Sequence, residues 1–341
     1  MLALLALSVL LPASADAVLS IEQTSGLRAL LERAGTWAPS LAPQPMGALL
    51  KDRVGVDLLA EGPGWGLSSR GARLLLFSHQ AMGLVAPVRD VKAARKMLAG
   101  WLAEDKKRLG RVSGGKLFTA SGKEAQALFA GMGRSVPLPR ELAPRARGPV
   151  WFWARLEDPL RAAVLSVDAS GIGILARGLV TARTPLLAGR APFGCAKGIA
   201  CVRAGLAEQG PAAVAKVLER LGAPPQQELA TADHVEERLD AIDIRSLSDA
   251  HSLGRALRIT PVFGGGESTA PALEAMVDLG RLDAALAGMT ALDALRGGLA
   301  AGVYAGRAVY GELLRNAGPL TVTGSPGQGN GIEVAIRLPL R

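Results

Sequence analysis

The chain is poor in cysteine, histidine and aromatic residues, and each scarcity closes off a class of function. Cysteine occurs twice in 341 residues, at Cys195 and Cys201, and histidine three times, at His79, His234 and His251. Neither set has the spacing of a structural zinc framework, which takes four ligands at short fixed intervals. Aromatic residues make up 4% of the chain, too few for the stacking platforms of carbohydrate or single-stranded nucleic-acid binders. No Gly-x-Ser-x-Gly elbow occurs, so serine hydrolysis of that type has no support. Neither Gly264 to Gly266 nor Gly324 to Gly331 is followed by the Lys-Ser or Lys-Thr of a phosphate cradle.

What is present begins at the N-terminus. An apolar run from Leu2 to Leu11 precedes Pro12 and then Ala15-Asp16-Ala17, small residues where an exporting peptidase reads. The run falls short of the roughly 20 apolar residues that span a bilayer. Residues 1–17 therefore read as a secretory signal cut after Ala17, although no Lys or Arg precedes the apolar run. Export implies a periplasmic or secreted protein, not integral to the membrane once cut. No cysteine stands near the cut to carry a lipid, and Cys195 and Cys201 are expected to close a small disulfide loop.

The apolar fraction of 49% supplies ample core, and the length suits two domains of about 150 residues each. The formal charge is +9, which draws an exported protein toward anionic surfaces such as lipid headgroups or acidic polymers. Basic residues are scattered in ones and twos. Lys106-Lys107-Arg108 is the longest run, and it reads as solvated surface. Nucleic acid is not an expected partner, because no recognised binding motif is present.

Along the chain, Ser25 to Ala34 and Met46 to Lys51 read as helices, followed by a hairpin of Ala72 to His79 and Leu84 to Val88 around Gln80 to Gly83. Asp90 is placed to cap a helix running from Val91 to about Ala103, with Ala94, Leu98 and Trp101 on its apolar stripe. Strands are expected at Lys116 to Ala120 and Ala125 to Ala130. Residues 18–133 thus form a first α+β half, and the Pro/Arg-rich residues 134–149 a linker.

The second half, residues 150–341, opens with a strand carrying Trp151 and Trp153 on one face. Strands at Ala162 to Val167, Gly171 to Thr181 and Ile199 to Ala207 follow, the first two joined by a turn at Asp168 to Gly171. A helix runs from Pro211 to Leu221. His234 to Leu239 reads as helical, Arg255 to Phe263 as a strand, and Ala270 to Gly288 and Ala291 to Gly297 as helical. A hairpin of Leu320 to Thr323 and Ile332 to Leu338 closes the chain. The strand and helix at residues 84–103 recur loosely at 199–221, as two similar halves would. The expected fold class is α+β, antiparallel sheets packed with amphipathic helices.

Several segments carry a pattern that is shared with known exported proteins. They are Gly55-Val56-Asp57, Leu84-Val85-Ala86-Pro87-Val88-Arg89-Asp90, Gly115-Lys116-Leu117-Phe118, Val277-Asp278-Leu279-Gly280-Arg281-Leu282 and Ile336-Arg337-Leu338-Pro339-Leu340. In these the chain resembles a family of uncharacterised exported bacterial proteins known only as a domain of unknown function. The resemblance implies an α+β fold and an exported location, and it carries over no catalytic residue.

Candidate chemistry is sparse. His234 and Glu237 would share a helix face with His251 as a distant third metal ligand, but no spacing is diagnostic, and no metal or cofactor is expected. Ser113-Gly114-Gly115-Lys116 matches a Ser-x-x-Lys pattern, yet two glycines favour a turn over the helix that chemistry needs. Paired acids such as Glu157 and Asp158, or Asp240 and Asp243, read as solvated surface. Trp151 and Trp153 are the candidate ligand-binding residues, against the alternative that they pack as core. The sequence leans toward a non-enzymatic envelope protein binding a protein, lipid or anionic polymer. A carrier of an apolar ligand and an exported hydrolase remain the alternatives.

Overall fold

The computed structural model describes residues 10–59, 65–170, 173–188, 199–220, 234–239, 260–262, 271–287, 311–312 and 314–339. It is a mixed α and β protein built on antiparallel strands, in two compact units. The first comprises Met1–Gly35, Pro39–Leu156 and Ala162–Ala169; the second comprises Thr36–Ala38, Glu157–Arg161 and Ser170–Arg341.

In the first unit, β1 (Leu10–Pro12) and β2 (Ala17–Ile21) precede α1 (Thr24–Trp37) and α2 (Pro43–Val54). The hairpin β3 (Arg73–Ser78) and β4 (Ala81–Pro87) leads to α3 (Val91–Glu104), then to β5 (Leu109–Ser113) and β6 (Lys116–Gly122). After α4 (Ala125–Gly131) and β7 (Ser135–Pro137) come β8 (Val150–Arg155) and β9 (Leu160–Ser170). The neighbour order is β9-β8-β2-β3-β4-β6-β5, and β1 pairs separately with β7.

Both faces of this sheet are covered. On one, Thr119 Oγ1 donates to the Val54 carbonyl at 2.7 Å, and Trp101 Nε1 donates to the Asp52 carbonyl at 3.0 Å. The first bond holds α2 against β6, and the second holds α3 to α2. The row Val164, Trp153, Val18, Leu76, Gly83 and Ala120 crosses the opposite face. Gly83 in that row lies against Met132 and Leu128 at α4. Val164, Val18, Leu76 and Ala120 are fully buried, each large side chain contributing about 1.5–3 kcal/mol of burial.

Local chemistry explains the element boundaries. Asp90 Oδ1 accepts the Lys92 and Ala93 N–H groups at 2.9 and 3.0 Å, capping α3 as expected, and Ala94, Leu98 and Trp101 are buried. The β5–β6 turn has Gly114 at φ +57° and Gly115 at φ +70°, the two positive values a tight hairpin requires. Ser113 and Lys116 are therefore turn-flanking strand partners, not a helical pair.

Three expectations for the first unit are corrected. Ala125 to Ala130 is helix, not strand: its Ala, Gln and Leu are helix formers, and Ala125 and Leu128 are buried at helical spacing. The β3–β4 hairpin turns earlier than expected, at His79 and Gln80, with His79 at φ +40°. Asp168 to Ser170 continue β9 instead of turning. Residues 134–149 fall within the first unit.

The second unit contains β10 (Gly173–Ala182), β11 (Ala200–Gly205), α5 (Gly210–Arg220), β12 (His234–Leu239) and β13 (Thr260–Val262). It continues with β14 (Leu273–Val277), α6 (Leu279–Ala287), β15 (Leu320–Pro326) and β16 (Gly331–Pro339). The order is β13-β12-β11-β14-β15-β16-β10, antiparallel throughout. His234 to Leu239 is a strand, not a helix, and Leu273 to Val277 a strand ahead of a shorter helix. In the register, Arg203 of β11 stands opposite Glu274 of β14, an opposite-charge pair that favours this pairing. The expected segments at Arg255 to Ile259, Gly264 to Gly266 and Ala291 to Gly297 lie outside the described residues.

Candidate functional site

A strongly charged concavity in the first unit forms where three segments come together at one end of the sheet. Leu109 pairs with Ala120, so the residues before β5 and those after β6 emerge side by side. This brings Lys106, Lys107 and Arg108 next to Ser121, Gly122 and Lys123. Ser121 Oγ donates to the Arg53 carbonyl, which adds the end of α2. The result is an open cleft of about 640 Å³ lined by Asp52, Arg53, Asp105 to Leu109, Ser121 to Lys123, Ala125 and Gln126.

Its charges sort into two groups. Arg108 is consumed internally: its side chain is 11% exposed, pairs with Asp52 at 2.8 Å and with Glu104, and donates to the Trp101 carbonyl at 3.1 Å. Its guanidinium also lies over the Trp101 ring, 5.1 Å from the centroid. Asp105 accepts the Lys107 N–H at 2.8 Å, closing the turn after α3. Asp52 is held by Arg108, with Arg53 at 3.8 Å. Lys106, Lys107 and Lys123 are exposed and make no ion pair among the described residues. The carboxylates are committed to arginines and backbone, so they leave the lysines available to a ligand.

A second concavity of about 670 Å³ adjoins the first and shares Asp52 with it. It lies between α2 and α3, lined by Ala48, Lys51, Gly55, Trp65, Ala93, Met97, Gly100 and Trp101, with Lys96 and Glu104 among its charged residues. Lys51 Nζ sits 5.4 Å from the Trp65 ring centroid. Gly55 ends α2 at φ +82°, its N–H returning to the Lys51 carbonyl at 3.0 Å, and a Cβ there would meet the Trp101 indole.

The sequence-derived candidates lie elsewhere. Trp151 and Trp153 are 2% and 7% exposed and line neither concavity. Trp151 Nε1 donates to Glu22 Oε1 at 3.1 Å, and that oxygen also accepts from Ser20 Oγ at 2.8 Å. Trp153 Nε1 is buried without a hydrogen-bond partner among the described residues. Ser166, the cross-strand partner of Trp151, donates to the Arg145 and Arg147 carbonyls, so the Pro/Arg-rich segment crosses this face. The tryptophans occupy the packed core of the first unit.

Cys201 is 3% exposed in β11, and Cys195 lies outside the described residues. His234 and Glu237 belong to a strand and not to the helix that the expected shared face requires. His251, Asp240 and Asp243 lie outside the described residues. No group of three or more His, Cys, Asp or Glu side chains gathers among the described residues. Asp158 is paired with Arg183 at 3.0 Å and Lys216 at 3.5 Å. His79 Nε2 lies 3.9 Å from Asp16 Oδ2, which accepts the Ser78 hydroxyl at 2.7 Å. The serine bonds the carboxylate and not the imidazole, so no nucleophile–base pair forms. Burial lowers the Arg73 guanidinium below its ordinary pKa.

Sequence reasoning passed over the basic cleft. Its visible trace was Lys106-Lys107-Arg108, but Lys123 and Arg53 join that run only through the strand register. No family model matches this chain, and no curated protein or solved structure matches it.

Proposed function

We propose that the chain is an exported, non-enzymatic envelope protein that binds an anionic partner through the cleft of Arg53, Lys106, Lys107 and Lys123. The observation that carries this is the unpaired state of the three lysines beside carboxylates already engaged. A multiply charged ligand held by three cations gains more than any single exposed pair, which contributes about 0–1 kcal/mol. The test is binding of polyphosphate or anionic vesicles by the wild type and by a K106E/K107E/K123E variant. The variant is expected to bind at least tenfold more weakly.

Export is proposed on the apolar run Leu2 to Leu11 and the Ala15-Asp16-Ala17 sequence, together with the resemblance to exported bacterial proteins of unknown function. Residues near that cut also pack: Leu11 and Ala15 are buried, and Ala17 pairs with Phe77 and Ala154. Amino-terminal sequencing of the exported chain is expected to begin at Val18. A chain beginning at or before Leu10 would place the cut upstream. A Cys195–Cys201 disulfide belongs to the same proposal, because export places the even cysteine count in an oxidising compartment.

The two units are further proposed to be related halves. The neighbour order β9-β8-β2-β3-β4-β6 of the first runs parallel to β12-β11-β14-β15-β16-β10 of the second. A helix follows β2 and another follows β14, and β3–β4 and β15–β16 are both hairpins. The chain enters the shared order at a different strand in each unit.

A further inference from the structure

We infer that the anion taken up by the basic cleft is the headgroup of a lipid whose acyl chain lies along the groove between α2 and α3. The inference rests on the proposal that the lysine cleft binds anions, and it adds the chemical class. The two concavities share Asp52, which Arg108 neutralises, so a cationic surface and a largely apolar one lie side by side. A polyanion would use the first alone, whereas an anionic amphiphile uses both.

The groove suits an alkyl chain. Ala48, Ala93 and Gly100 are small and lower its walls, while Trp65, Met97 and Trp101 supply polarizable apolar surface. Lys51 and Lys96 lie along it, where their methylene stems extend the apolar surface and their ammonium groups repeat the charge of the neighbouring cleft. Gly100 is exposed on α3 with nothing within 4 Å of where a Cβ would stand, so the groove is open above it. An acidic peptide would be matched by the lysines but would leave this apolar floor unused.

The test measures three soluble probes on the full chain: dioctanoyl phosphatidylglycerol below its micelle concentration, glycerol 1-phosphate, and dioctanoyl phosphatidylcholine. The anionic lipid is expected to bind at least tenfold more tightly than either, a factor that corresponds to about 1.4 kcal/mol. Gly100→Phe puts a ring into the groove at a site with room for it and is expected to reduce the lipid to the affinity of glycerol 1-phosphate. Gly100→Ala, which adds no ring, is expected to retain tight binding.

Equal affinity for the anionic lipid and its headgroup, unchanged by Gly100→Phe, would overturn the lipid assignment while leaving the anion cleft standing. So would a polyglutamate peptide binding more tightly than the lipid and indifferent to Gly100→Phe. If neither these anions nor polyphosphate bind, the cleft proposal falls as well.

Discussion

Asp90 and the two buried tryptophans show how single residues hold the first unit. The Asp90 carboxylate satisfies two N–H groups at the start of α3, so Asp90→Ala is expected to cost about 1 kcal/mol, read as a lower denaturant midpoint. Trp153 stands in a row of fully buried residues, so Trp153→Ala is expected to cost about 3–5 kcal/mol. Its affinity for polyphosphate should be unchanged, because the indole lines neither concavity; a loss of binding with intact stability would return Trp153 to the candidate site. The cap was legible in the sequence because Asp90 sits directly before an apolar stripe of helical period. The burial of Trp151 and Trp153 was not, because strand alternation puts both on one face without saying whether that face meets a ligand or the core.

At the scale of elements, periodicity succeeded for α3 and for the closing hairpin and failed at Ala125 to Ala130, at His234 to Leu239 and at the start of Ala270 to Gly288. The fourteen residues of α3 show their apolar stripe plainly. The helix Ala125 to Gly131 has seven residues, too few for helical and strand periods to separate, which is why Ala125 to Ala130 carries a strand expectation. His234 to Leu239 failed in the opposite direction, because its place is set by register against β11, which no local pattern records. The packing of α4 gives a direct check. A Cβ at Gly83 would overlap the Met132 methyl and the Thr119 carbonyl, so Gly83→Val is expected to destabilise the chain by about 1–3 kcal/mol in denaturant titration. An unchanged midpoint would mean that α4 does not lie against β4.

For the whole molecule, the surplus of positive charge was visible from composition, but the gathering of Arg53, Lys106, Lys107 and Lys123 at one cleft was not. Lys106 and Lys107 meet Lys123 and Arg53 only because β5 and β6 pair in register and α2 ends beside them. If the protein is exported with its cysteines joined, thiol titration of the native chain should find none free, and two free thiols would count against that address. The most direct measurement of the central claim is the affinity of the purified chain for polyphosphate at two salt concentrations, compared with the K106E/K107E/K123E variant. Binding that weakens as salt rises, and at least tenfold loss in the variant at low salt, is the expected result. Equal affinity in the two proteins would contradict the assignment of the cleft.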